Sequence, residues 1–321
     1  MKVIFWGATE EVTGSLTYVE VPEGKIIVDC GLHQGKEETE KLNFRPLPSP
    51  PSEIRDVIIT HAHLDHTGYL PKLVKSGFRG TIHCTPPTAK LMKIILADSA
   101  KLSEDFYNVS DVSQTLSLVK THEWNEHFQV SGATASFVPA GHILGASSLI
   151  LKSEGKRLIF SGDLGRENDP LLLPHDSAPC ADAIVMESTY GGKIRKGDIE
   201  KELHSFLISV SRSSRVGIIA SFAVARGQLL LYLINEFFKR HPEERVRVVI
   251  DSPMMVEANK VYKEYAHLTK SRMDLSTSLE NLDSIDFKNE WDSLKKKKGP
   301  LIILSSSGMV SGGRIFRALE N

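Results

Sequence analysis

The sequence predicts an α/β protein in two parts. Three observations carry that prediction. Short apolar strands closed by turns run up to Gly191-Gly192, apolar runs alternate with helical periodicity after it, and a cluster of histidines follows one buried strand. The length of 321 residues suits one large domain or two modest ones, and 41% apolar with 25% charged residues is an ordinary globular profile.

Val3–Trp6, Leu16–Val21 and Lys25–Asp29 read as strands, with Pro22-Glu23-Gly24 as a hairpin turn. Pro46 to Pro51 is a proline-rich loop, and Val57-Ile58-Ile59-Thr60 a buried strand with the histidines on the loop after it. A helix is predicted from Pro86-Pro87 through Leu91, Ile94, Ile95 and Ala97, because proline suits a first turn. Ala135–Val138, Ser148–Leu151, Arg157–Phe160 and Ala183–Met186 are further strands. Beyond them, helices over Ile199–Val210 and Arg226–Phe238 alternate with apolar runs at Val216–Ala220, Val246–Ile250 and Leu301–Leu304. That alternation predicts a small parallel sheet flanked by helices, with a boundary that assigns 1–192 to the first domain and 193–321 to the second. Lys295–Lys298 reads as a solvated loop.

A net charge of −1 gives no global attraction to nucleic acid, so such binding has to come from local patches. Cys30, Cys84 and Cys180 are odd in number and widely spaced, which predicts buried thiols in a reducing compartment rather than disulfides. No apolar stretch reaches the length of a bilayer span and no charged leader precedes an apolar run; the expected location is cytoplasmic, without membrane contact.

The chemistry concentrates at His61-Ala62-His63-Leu64-Asp65-His66. With 12 histidines in 321 residues, chance supplies such a run in on the order of one chain in a thousand. Neutral imidazoles and a carboxylate suit a zinc ion, and ligands two and three apart on an irregular loop can face two adjacent metals. His142 and Asp163 each end a later strand. Either alone reads as a hydrogen-bonded turn residue; beside the cluster they read as further ligands. A carboxylate such as Asp163 can bridge two cations about 3.5–4 Å apart, the spacing of two-metal hydrolases.

The order Asp29, the 61–66 cluster, His142 in Gly-His-Ile-Leu-Gly-Ala and Asp163 in Ser-Gly-Asp-Leu-Gly-Arg resembles the four motifs of the metallo-β-lactamase superfamily. Glu187-Ser188-Thr189-Tyr190-Gly191 is similar to the first extra motif of its β-CASP branch, the RNA- and DNA-processing nucleases, in the manner of prokaryotic relatives of the mRNA 3′-end cleavage factor. The opening segment from Gly7 to Gly14 shares the likeness. The resemblance implies a metallo-β-lactamase αββα sandwich with an incomplete second sheet, carrying an inserted β-CASP domain that caps the metal site. It also implies that His61, His63 and His142 hold one zinc, Asp65 and His66 a second, and Asp163 both. Asp29 is then expected to orient a ligand histidine, and Asp65 and Glu187 to take part in catalysis. Without the likeness, Asp29 reads equally well as an ordinary strand-end residue, and Glu187 as a capping acid.

Departures from the pattern follow Gly191. Where branch members usually carry Asp, Arg and His, this chain has Gly192, Lys193 and Arg195. Two further histidine motifs of the branch, a general acid and a last ligand of the second zinc, are not within the 321 residues. A fragment, a shortened form and half of a split protein are all readings of this, the first being preferred because an unfinished sheet leaves an open edge. His33, His83, His122 and His175 are expected to be surface or hydrogen-bonded histidines rather than replacement ligands.

A nucleic-acid substrate needs donors for phosphates. Ser221 with Arg226, and Ser307 with Arg314, lie on turns after predicted strands, and Asp251-Ser252-Pro253 is a third such turn. Each alone is an ordinary turn; on one sheet edge they form a candidate phosphate-tracking wall. The function expected is a zinc-dependent ribonuclease using metal-activated hydroxide, with single-stranded RNA (or DNA) as partner and a homodimer left open. Its alternatives are a small-molecule metallo-hydrolase acting on esters, thioesters or lactams, and an inactive RNA-binding subunit.

Overall fold

A computed structural model describes residues 1–102, 106–193, 198–270, 283–284, 299–306 and 314–320. Arg195, Lys295–Lys298 and Ser307 lie outside the described residues. The chain divides into two compact units, Met1–Gly191 and Gly192–Asn321.

The first unit is built on two sheets. One has six strands in sequential order: β1 (Lys2–Phe5), β2 (Leu16–Val21), β3 (Gly24–Cys30), β4 (Ile54–Ile58), β5 (Thr81–Cys84) and β6 (Val119–Thr121). β1 to β3 pair antiparallel, β3 to β6 parallel. The other sheet has five strands in the order β11 (Ala183–Val185), β10 (Lys156–Phe160), β9 (Ser147–Ser153), β8 (Ala133–Pro139) and β7 (His127–Val130). Val19, Ile26, Val28 and Ile58 from the first sheet meet Phe128, Phe137, Leu149, Leu151 and Phe160 from the second in one core. Burying each such side chain contributes about 1.5–3 kcal/mol, so this seam fixes the two sheets face to face.

Among the described residues, the α-helices of this unit fall between β3 and β6 in the chain: α1 (Glu37–Glu40), α2 (Leu64–Thr67), α3 (Leu70–Lys75), α4 (Pro86–Leu102) and α5 (Val109–Ser117). α4 opens on Pro86 and Pro87 as predicted, since a first-turn residue needs no amide hydrogen. α5 is fixed by a capping box in which Asn108 accepts from the Asp111 amide and Asp111 accepts from the Asn108 amide. Among the described residues between β6 and Gly191 there is no helix, and β11 is the terminal strand of its sheet, with Ile184 and Met186 exposed.

The second unit is the parallel α/β part. β12 (Val216–Ala220), β13 (Arg247–Asp251), β14 (Asp283–Ser284) and β15 (Leu301–Ser305) pair parallel in the order β12-β15-β13-β14. Around it lie α6 (Ile199–Ser211), α7 (Arg226–Arg240), α8 (Pro253–Glu264) and α9 (Arg314–Glu320). Leu207, Leu231, Ile234 and Phe237 pack on Val248, Ile250, Ile302 and Leu304. Ala220 and Asp251 are both in register with Ser305, so three strand ends share one edge. No helix among the described residues is long and apolar enough to cross a membrane.

Candidate metal centre

The centre lies in the first unit, where loops after strands of both sheets converge. β4 leads into the segment carrying His61 and His63, and Asp65 and His66 stand on α2. His142 follows β8 and Asp163 follows β10. Two glycines let the loops approach. A Cβ on Gly31 would lie 1.6 Å from the Asp65 carbonyl oxygen, and one on Gly165 would lie 1.7 Å from that of Gly141. No side chain fits at either place, so glycine there brings the end of β3 onto α2 and the Asp163 loop onto the His142 loop.

His61, His63, His142 and Asp163 each offer a ligand atom, all within 4.8 Å of one another. The His142 Nε2 is 3.1 Å from the His63 Nδ1. Asp163 Oδ2 lies 3.8 Å from His61 Nε2 and 3.5 Å from His142 Nε2, while its Oδ1 lies 3.3 Å from His66 Nε2. The same His66 nitrogen is 3.9 Å from Asp65 Oδ2. One carboxylate therefore faces a three-histidine group with one oxygen and the Asp65–His66 pair with the other.

Electrostatics sort these residues. Burial, followed by the neighbouring imidazoles, pushes His61 well below its usual value and His63 down to about 3, and burial lowers His142 against the pull of the Asp163 carboxylate. Three neutral imidazoles thus keep lone pairs to donate. Burial opposes a charge on His66 too, yet the carboxylates of Asp29, Asp163 and Asp65 hold it well above the usual range. Asp163 is driven by His66 and the other histidines down to about 2 despite its burial, and burial raises Asp65. The His61 Nε2 is buried without a hydrogen-bond partner. Such an atom costs free energy unless something electropositive meets it, and three imidazoles with a carboxylate fit a divalent cation of the zinc type.

Asp29 is buried at the end of β3 with φ +55°, a left-handed conformation that Asp adopts more readily than most residues. Its Oδ2 is 2.8 Å from His66 Nδ1, and it accepts from the Thr60 amide and hydroxyl. Glu187 accepts from the amides of Leu164, at 3.3 Å, and Thr189, at 3.0 Å, so its carboxylate caps the Asp163 loop. A cleft of about 630 Å³ reaches the centre from this side, lined by Phe5, Asp29, His66, Asp163, Glu187 and Thr189 among others.

Comparison with known proteins accounts for this arrangement. Residues 10–216 match the family model of the metallo-β-lactamase superfamily, and residues 227–321 that of the Beta-Casp domain. The chain belongs to the β-CASP branch of the metallo-β-lactamase superfamily. It is 32% identical to Ribonuclease TTHA0252 of Thermus thermophilus, over 100% of this chain and 76% of that protein. It is 30% identical to an RNase J-like protein of Methanocaldococcus jannaschii, over 98% of this chain and 73% of the relative. Cleavage and polyadenylation specificity factor 73 of Drosophila melanogaster is 27% identical over 96% of this chain and 46% of its own length. A crystal structure of a protein of unknown function from Enterococcus faecalis shares the fold, with a TM-score of 0.55 at 14% identity, covering 95% of this chain and 77% of that one. As a branch member the chain is a metal-dependent hydrolase by class.

The other residues singled out in the sequence fall elsewhere. His83 and His122 are hydrogen-bonded to each other at 3.0 Å, and His33 is paired with Glu11 at 3.1 Å. His175 stands on a loop with its Nδ1 3.4 Å from the Asp176 carbonyl. In the second unit Ser221 is buried and its hydroxyl donates to the Phe222 carbonyl, whereas Arg226 is exposed at the start of α7. Arg314 donates to Asp251 at 3.3 Å. The residue sequence reasoning missed is Thr60, which sits next to His61 in the chain and touches both it and Asp29.

Proposed function

We propose that this β-CASP protein is a zinc-dependent ribonuclease hydrolysing phosphodiester bonds of single-stranded RNA. One observation carries the reading: the two oxygens of Asp163 divide between the His61–His142 group and His66, the disposition of a carboxylate that serves two cations. In this reading His61, His63 and His142 would hold one ion and Asp65 and His66 the other, with Asp163 offering an oxygen to each group. When bound, such ions acidify water toward neutral pH and neutralise charge on the nonbridging phosphoryl oxygens. The chain's own residues do the rest. Asp65, beside His66, takes the proton of the attacking water. Asp29 keeps His66 oriented through its Nδ1, and Glu187 holds the Asp163 loop at the cleft where the scissile phosphate enters. Relatives named as ribonucleases support RNA as substrate. Arg226, exposed at the α7 start on the shared strand-end edge, is assigned a phosphate contact.

The test uses the purified chain with a labelled single-stranded RNA. About two zinc ions per chain and RNA cleavage are expected; Asp163→Ala should lose both, and unchanged cleavage would sink the proposal. RNA binding by Asp163→Ala should weaken with salt by a slope of about −0.7 per phosphate contacted, and Arg226→Ala should remove about one such contact. Turnover of a neutral ester without RNA cleavage identifies a small-molecule hydrolase instead. RNA binding without cleavage at one zinc per chain identifies a silent subunit.

A further inference from the structure

Thr60 is the point at which three loops of the centre meet. Its amide donates to Asp29 Oδ1 at 2.8 Å, its carbonyl accepts from the Ser147 amide at 2.9 Å, and a Cβ on Gly162 would lie 2.9 Å from its own Cβ. The side chain is 1% exposed. Its hydroxyl lies 3.0 and 2.9 Å from the two oxygens of Asp29 and 3.1 Å from the His61 Nδ1. A hydroxyl has one proton, and the carboxylate of Asp29, which can only accept, is the neighbour that takes it. With Asp29 accepting it, the Thr60 oxygen is left facing His61 as an acceptor, so the Nδ1 must carry the imidazole hydrogen. The His61 Nε2 is then a bare lone pair. That nitrogen is the one buried without a partner, facing Asp163.

We propose that Thr60 is a positioning residue that sets the tautomer of His61, so that Asp29 governs two metal-facing histidines: His66 directly and His61 through the threonine hydroxyl. The inference rests on the two-metal reading of the centre and deepens it. It differs from simple packing, because the methyl and the hydroxyl of Thr60 have separable roles. A Cβ on Gly162 would meet the Thr60 Cβ at 2.9 Å and its hydroxyl oxygen at 3.1 Å, so side-chain bulk matters there, while the hydroxyl alone decides which ring nitrogen of His61 is free.

Two variants separate these roles. Thr60→Val keeps the shape and removes the hydroxyl; Thr60→Ser keeps the hydroxyl and removes the methyl. Long-range proton–nitrogen correlation spectra of the metal-free chain, labelled at histidine nitrogens, read the His61 tautomer directly. The wild type and Thr60→Ser should show hydrogen on Nδ1, and Thr60→Val should show Nε2–H or a mixture. Zinc titration should give a 10–100-fold weaker first site in Thr60→Val, with Thr60→Ser within about threefold of the wild type. A His61 tautomer unchanged in Thr60→Val overturns the proposal, as does equal loss of zinc affinity in both variants, which would assign Thr60 a packing role. Failure of the wild type to bind zinc would refute the two-metal reading, while the metal-free spectra would still decide the role of Thr60.

Discussion

The first unit holds two groups of histidines, and they are built in opposite ways. Around Asp163, ring nitrogens point inward at each other and at carboxylates, and one of them, His61 Nε2, lies 3.8 Å from Asp163 Oδ2 and has no hydrogen-bond partner. Around Phe128, every ring nitrogen has a polar neighbour. His83 Nε2 meets Asp56 at 2.9 Å, His83 Nδ1 meets His122 Nε2 at 3.0 Å, and His122 Nδ1 meets Glu126 at 3.2 Å. His122 stacks on Phe128 with centroids 3.8 Å apart and planes 10° from parallel. The first group fits a divalent cation; the second has a protein partner for each ring nitrogen. The lesson is that partnering of each nitrogen, rather than the number of histidines, separates a ligand cluster from a structural one.

Matched alanine substitutions put that contrast to its hardest test. His63→Ala should cost most of the bound metal and, since metal stabilisation is worth several kcal/mol to a transition state, about 10³-fold in hydrolysis. His83→Ala should leave metal content alone and cost about 2–4 kcal/mol of folding free energy through a cavity and unpaired neighbours at Asp56 and His122. Metal analysis beside denaturant unfolding decides it; loss of metal from His83→Ala would erase the distinction.

A backbone version of the comparison uses two glycines. Gly165→Ala would drive a Cβ into the Gly141 carbonyl and part the loops of His142 and Asp163. The expected result is a loss of about 3 kcal/mol together with weaker metal binding. Gly155 has open space around its Cβ and φ +71°, so Gly155→Ala should cost only about 1–2 kcal/mol and leave the metal untouched. Equal effects on metal affinity would mean that loop approach at Gly165 does not set the centre.

How much of this was readable in the sequence differs by feature. β2 and β12 are runs of β-branched and apolar residues between turns, and local pattern alone delimits them. The convergence of the 61–66 loop with His142 and Asp163 was legible because the loop's histidines and Asp65 are close together and His142 and Asp163 each end an apolar strand. β5, β6 and α3 were not, because each is short and owes its conformation to neighbours in the sheet or under it. α5 carried a signal that was available, Asn108 three residues before Asp111. Thr60 illustrates the deeper limit: it touches its chain neighbour His61, but its meaning comes from Asp29, 31 residues earlier. Arg314 likewise reads as a free cation until Asp251 is seen beside it.

The finest test of the two histidine groups is acid stability without metal. Burial lowers the His122 value, outweighing the Glu126 carboxylate that would raise it. Burial would raise Asp56, but hydrogen bonds from His83 and Ser131 bring it below its usual value. For His122 the unfolded chain takes up a proton near its ordinary value of 6.5 more readily than the folded chain does. Its contribution is therefore complete above that pH and declines as pH falls through it. For Asp56, with an ordinary value of 3.8, the contribution is present above that pH and is lost as pH falls through the lower folded value. Both losses run toward acid, but only His122 acts in the window just below 6.5. Of the centre's histidines, His61, His63 and His142 also resist protonation while His66 favours it, so the informative quantity is a difference between chains. Under a chelator, the unfolding midpoint should drop by a few degrees more between pH 7.5 and 5.5 in the wild type than in His122→Gln, which cannot titrate there. Parallel curves would mean that the acid response of the unit comes from groups other than His122.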